Sequence, residues 1–126
     1  VTHLDPESLI ATAAALARPF APSEDVRAGD VAAALVTAAG NVYTGVCIDT
    51  ACSLGFCAEH AAVAEMLKAR EAHVRMIVAV GSRGQVIPPC GRCRELLWQL
   101  HPHNGEALVI LGPDRVRPLA ALLPER

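Results

Sequence analysis

Pro89-Cys90-Gly91-Arg92-Cys93 sets two thiols three residues apart, and Cys57-Ala58-Glu59 sets a third thiol two residues before a carboxylate. Each group stands where an apolar helix begins. A helix start carries partial positive charge and free N–H groups, so it stabilises thiolates. Two such starts brought face to face gather three thiolates, a set that suits zinc, which accepts sulfur readily and usually takes four ligands. Three protein ligands leave a fourth position for water, the arrangement of a catalytic rather than a structural centre. Nearby His60, Cys47 and Cys52 keep a closed structural centre open as an alternative. A redox pair is another, because C-x-x-C alone serves thiol exchange equally well.

Glu59 separates these readings. Two residues past Cys57, it lies close to any bound metal but turned around the helix from the ligand. A carboxylate there can take a proton from an activated water and pass it on. Taken alone, Glu59 reads as a first-turn acid complementing the helix dipole. Taken with Cys57 and the downstream Pro-Cys-x-x-Cys, it completes the signature of the zinc deaminases.

The totals narrow the partners. The 126 residues suit one ordinary domain with its own core. A formal net charge of −2 offers no electrostatic footprint for nucleic acid, and 3% aromatic residues offer little for stacking bases. No apolar run approaches the ~18 residues needed to span a bilayer. The N-terminal "VTHLDPESLI" lacks the basic and apolar regions of a signal peptide, so a cytoplasmic location is expected. Five cysteines, an odd number, argue against a disulfide framework.

The elements that must position these groups follow from periodicity and punctuation. Residues 5–20 read as a helix with Pro6 in its first turn and Leu9, Ala13, Leu16 and Phe20 at helical spacing. "DVAAALVTAAGNVYTGVCID" reads as a hairpin around Ala-Gly-Asn, and "CAEHAAVAEMLKAREA" as a helix. A strand "HVRMIVAVG", a helix "CGRCRELLWQLH", a strand "EALVILG" and a short closing helix in "RPLAALLPER" complete the order α-β-β-α-β-α-β. That order predicts helices covering a mixed sheet, with parallel strands where a helix intervenes.

The chain resembles the cytidine deaminase superfamily over nearly its whole length, in its small three-cysteine branch, and is most similar in look to the blasticidin S deaminases. The segments that carry the resemblance are "SEDV", "VYTGV", "CAE", "IVAVG", "PCGRCRELL", "LHP" and "LLP". It implies an α/β fold, a three-layer α/β/α sandwich with a mixed five-stranded sheet, and residues 1–126 as a single deaminase domain. It further implies one zinc ion held by Cys57, Cys90 and Cys93, Glu59 as the proton shuttle, and backbone around Ala58 and Cys90 against the base. The implied activity is hydrolytic release of ammonia from a free aminopyrimidine nucleoside, whether cytidine, deoxycytidine or a blasticidin S-like analogue. The implied partners are this small molecule and other copies of the chain, as a homotetramer or a homodimer, with neither nucleic acid nor membrane. A zinc-stabilised module that binds nucleosides without reacting is the alternative, and Glu59 would be idle in it.

Several positions depart from the family's pattern. Relatives often carry Arg after the catalytic Glu, where His60 stands here; His60 and Arg92 are expected to offset the charge of three thiolates around the metal. The Asn and Glu with which cytidine deaminases bind the ribose correspond to Cys47 and Asp49, placing both among the expected substrate contacts, although Cys47 also reads as a small strand residue. Gly29 stands where a base-packing Phe is expected, which suggests a base pocket that is either wider or filled from another element, with Phe56 and Trp98 as candidate fillers.

Overall fold

The computed structural model describes residues 5–125; Arg126 and the first four residues of the N-terminal stretch lie outside them. Helix α1 (Pro6–Ala14) precedes β1 (Val26–Thr37) and β2 (Val42–Thr50). Next come α2 (Ala58–Lys68), β3 (Val74–Gly81), α3 (Gly91–Leu100), β4 (Leu108–Gly112) and β5 (Arg115–Pro118). Short 3-10 turns occupy Asn104–Glu106 and Leu119–Leu122.

The five strands lie in the order β2-β1-β3-β4-β5. Among the described strands only β3 and β4 pair in parallel, and α3 is the crossover between them. Because strand side chains alternate between faces, the apolar runs of β1 and β3 feed two cores at once. Ala34, Val36, Met76, Val78 and Val80 pack under Leu9 and Ala13 of α1. Ala33, Leu35, Ile77 and Ala79 face Ala62, Val63 and Met66 of α2 and Leu97 of α3. The three-layer sandwich with a mixed five-stranded sheet is therefore as expected, and no described helix is long and apolar enough to cross a membrane.

Two helix expectations need correction. Asp5 caps α1 by accepting from the Ser8 N–H at 2.8 Å, but the helix ends at Ala14, not at residue 20. Pro19 disfavours helix at the residue before it, and Phe20 instead pairs with Ala28 of β1, leaving Phe20 60% exposed. The closing segment gives β5 and then a 3-10 turn, because its first residues complete the sheet against β4.

Helix α2 sits unusually close to β2. A Cβ added at Gly45 would stand 2.4 Å from the Ala61 Cβ and 2.4 Å from the Ala62 nitrogen. The absence of a side chain at Gly45 lets α2 bed down on the hairpin, and α2 carries the first candidate thiol at its head.

Candidate active site

Both helix starts are set by short return segments. After β2 the chain turns back and Phe56 pairs with Ile48, with N–O distances of 3.1 and 3.0 Å, which delivers Cys57 to the head of α2. After β3, Val86 pairs with Val80 and the Ile87 N–H reaches the Ala79 carbonyl at 2.9 Å, which delivers Cys90 to the head of α3. Cys57 and Cys90 are the N-cap residues of their helices, and Cys93 lies buried in the first turn of α3.

The sulfurs converge. Cys57 and Cys90 Sγ are 3.6 Å apart, Cys90 and Cys93 Sγ 3.5 Å, and all three lie within 4.8 Å of one another. Sulfurs bound at ~2.3 Å around a tetrahedral zinc stand ~3.8 Å apart, so the cluster fits that ion with little adjustment. All five cysteines are free thiols. Burial pushes the Cys57 and Cys93 thiols up, reinforced by Cys90 for the first and by the Glu59 charge for the second. Burial acts on Cys90 in the same sense, but the N–H groups of Cys93 and Arg92 and the two neighbouring thiols favour its anion and bring it below the usual range.

Glu59 is buried beside them, only 5% exposed. Loss of solvent raises its carboxyl above the ordinary glutamate range, against the pull of its own backbone N–H and the Cys93 thiol. An acid in that environment keeps its proton more readily than an exposed glutamate, which suits a group that must carry one. His60 is not among the residues that line the cavity; its ring stands edge-on to Phe56 at 6.3 Å and its Nδ1 is buried without a partner among the described residues. Burial and the Arg92 charge push its imidazole below the usual range, so neutral His60 adds no cation here. Arg92 does line the cavity, while Arg94 reaches across to the Leu122 carbonyl at 3.0 Å.

The cavity, about 410 Å³, is lined by Cys57, Ala58, Glu59, Cys90 and Arg92 on one side and by strand residues of the hairpin on the other. Cys47 and Asp49, the expected substrate contacts, are among the latter. Cys47 is buried; its sulfur accepts from the Val31 N–H at 3.3 Å and its thiol faces the Asp49 Oδ2 at 3.7 Å. Phe56 lines the cavity and Trp98 does not; Trp98 packs on the core and over Gly105.

Gly29 has a different role from the one expected. It adopts φ +83°, and a Cβ there would stand 2.5 Å from the Arg18 carbonyl oxygen. It serves a bulge: β1 takes four steps from Ala28 to Ala32 while β2 takes two, from Ile48 to Val46. The two extra residues swing Asp30 and Val31 into the cavity wall. Sequence reasoning missed Asp30. The available signal was an isolated Gly inside a strand pattern, which marks a bulge.

The profile of the cytidine and deoxycytidylate deaminase zinc-binding region matches residues 5–106. The cytidine deaminase of Mycobacterium tuberculosis (strain H37Rv) is 35% identical over 96 residues, 75% of this chain and 70% of the relative. The crystal structure of cytidine deaminase from M. tuberculosis superposes with a TM-score of 0.81 at 30% identity, covering 98% of this chain and 97% of that one. That from Burkholderia pseudomallei gives 0.77 at 31%, covering 97% and 98%.

Proposed function

The chain belongs to the zinc-binding cytidine and deoxycytidylate deaminase family, and on that premise we propose that it hydrolyses the exocyclic amine of a free cytidine-type nucleoside, releasing ammonia. The observation that carries this reading is the buried Glu59 carboxyl beside three converging thiols on a cavity of nucleoside size.

Cys57, Cys90 and Cys93 would hold the zinc. Zinc in such a centre supplies a Lewis acid that activates water at neutral pH. Glu59 takes one proton from the attacking water and delivers it to the ring nitrogen; it then takes the second from the hydroxyl now on the ring carbon and delivers that to the departing amine, as the carbonyl forms and ammonia leaves. Its burial serves both halves of that task, since the proton must be held and then surrendered. Ala58 and Cys90, at the two helix heads, present backbone to the base. Arg92, rather than His60, provides the positive charge beside the thiolates.

Cytidine is the substrate the relatives' names favour, and deoxycytidine belongs to the same reading. A larger analogue such as blasticidin S is a second reading, favoured by one observation: Cys47 and Asp49 offer the sugar a thiol and a short carboxylate in the cavity wall. The homotetramer, or a homodimer, belongs to the same proposal, supported by Leu54 (82% exposed) and Phe56 beside the cavity. The test is ammonia release by zinc-loaded protein and by Glu59→Ala across cytidine, deoxycytidine, cytosine, blasticidin S and aminopurine nucleosides. Release that requires Glu59 supports the enzyme; zinc binding with silence on every compound supports the binding module.

A further inference from the structure

Besides the thiols, the cavity holds a second group of polar side chains. The Asp30 and Asp49 carboxylates and the Cys47 sulfur lie within 4.8 Å of one another, gathered there by the β1 bulge. Their hydrogen-bonding character is one-sided. Carboxylate oxygens only accept, and the Cys47 thiol already faces Asp49 at 3.7 Å. A ligand that meets this wall must donate to it.

The charge is one-sided too. Arg27 Nε reaches both Asp30 oxygens at 2.9 Å, from a side chain 57% exposed to solvent. Among the described residues, two carboxylates against one guanidinium leave one negative charge without an ion-pair partner. The cavity's own cation, Arg92, stands close enough to His60 to act on it, at the thiol side. A neutral sugar hydroxyl donates one bond and leaves that charge as it was. An ammonium donates several bonds and cancels it, whereas a phosphate would add repulsion.

Resting on the nucleoside reading of this cavity, we propose that Asp30, Cys47 and Asp49 select a cytosine nucleoside whose sugar carries a protonated amine in place of a hydroxyl, and reject the phosphorylated nucleotide. Asp30 is the residue that makes the wall dianionic, and Arg27 moderates it from outside.

The test compares zinc-loaded full-length protein on cytidine, cytidine 5′-monophosphate, and the 2′-, 3′- and 5′-amino-deoxy analogues of cytidine, below the pKa of each amine. Both kcat/KM and calorimetric Kd are read. At least one amino analogue is expected to outdo cytidine by about tenfold, and the monophosphate to fall about tenfold below it. Asp30→Asn and Asp49→Asn each draw the ratio towards one, and Arg27→Gln widens it. The proposal is overturned if no amino analogue is preferred, if the preference survives both Asn variants, or if the monophosphate matches cytidine. Should no cytosine nucleoside be turned over, the Kd series alone decides this proposal, while Glu59-dependent ammonia release decides the function.

Discussion

Cys57 Sγ and Cys90 Sγ stand 3.6 Å apart although 33 residues separate them in sequence. Each belongs to a helix head, and each helix head is fixed by a strand-paired return segment. The spacing is thus a property of the sheet and not of either helix alone.

Zinc content follows from that spacing. Purified protein is expected to carry about one zinc per chain, since three thiolates form most of a tetrahedral set. Cys90→Ala and Cys93→Ala should each surrender the metal to a mild chelator, whereas exposed Cys52→Ser should keep it. Metal analysis after dialysis reads the difference, and full retention by either Ala variant would remove those residues from the ligand set.

Replacing Glu59 by Gln keeps the shape and removes the proton carrier. Turnover should fall by about 10²–10⁴-fold while zinc content stays as in the parent. Steady-state rates alongside metal analysis check this. A variant losing less than tenfold would show that protons travel by another route.

Gly45→Val should destabilise the fold by about 1–3 kcal/mol, the usual cost of overpacking, because its Cβ enters the space of Ala61 and Ala62. Since α2 carries Cys57 and Glu59, zinc affinity should fall with stability. Urea unfolding and a competitive zinc titration measure the two effects together.

Asn104 is fully buried and ties three elements. Its Oδ1 accepts from the Val74 N–H at 2.9 Å, and its Nδ2 donates to the carbonyls of Ala72 and Leu97 at 3.0 and 2.9 Å. Asn104→Ala removes all three of these bonds inside the core, so a loss of about 3 kcal/mol in urea unfolding is expected.

Acid should loosen the end of the domain formed by His73, His101 and His103. The His73 and His101 rings stack at 4.4 Å, and His103 lies 5.8 and 5.6 Å from them, with Glu106 3.6 Å from its Nδ1. Burial, then the charges of His73 and His103, push His101 below the ordinary histidine range. A depressed histidine binds fewer protons folded than unfolded. Stability is therefore present above the unfolded value of ~6.5 and falls as pH drops through it towards the folded one. Urea midpoints measured between pH 8 and pH 5.5 should show this fall, and His101→Gln should flatten it.

The thiols and Glu59 were legible because metal and proton chemistry admit few residue types, at spacings that one helix turn dictates. The strands and helices of the cores were legible because β1, β3 and α2 repeat apolar residues at their own periods. Asp30 was hidden, since its place in the cavity depends on how β1 registers against β2, a pairing that no local pattern states. The end of α1 was hidden for a similar reason: Phe20 leaves a helical pattern to pair with Ala28. β5 has four residues, two of them Arg, and only its neighbour β4 makes it a strand. Asn104 sits in a polar turn, and nothing in its neighbourhood announces that it is buried.

The central strand β3 lies between the two helix heads in sequence and between β1 and β4 in space. An ion held by Cys57 and Cys90 therefore closes a loop around the strand that joins the halves of the sheet. Tying a loop of 33 residues removes freedom from the unfolded chain worth about 4 kcal/mol, as a crosslink of that span would. Metal uptake thereby doubles as a fastening: a chain with β3 out of place cannot bring its sulfurs together, and one that has taken up the ion resists letting the strand go.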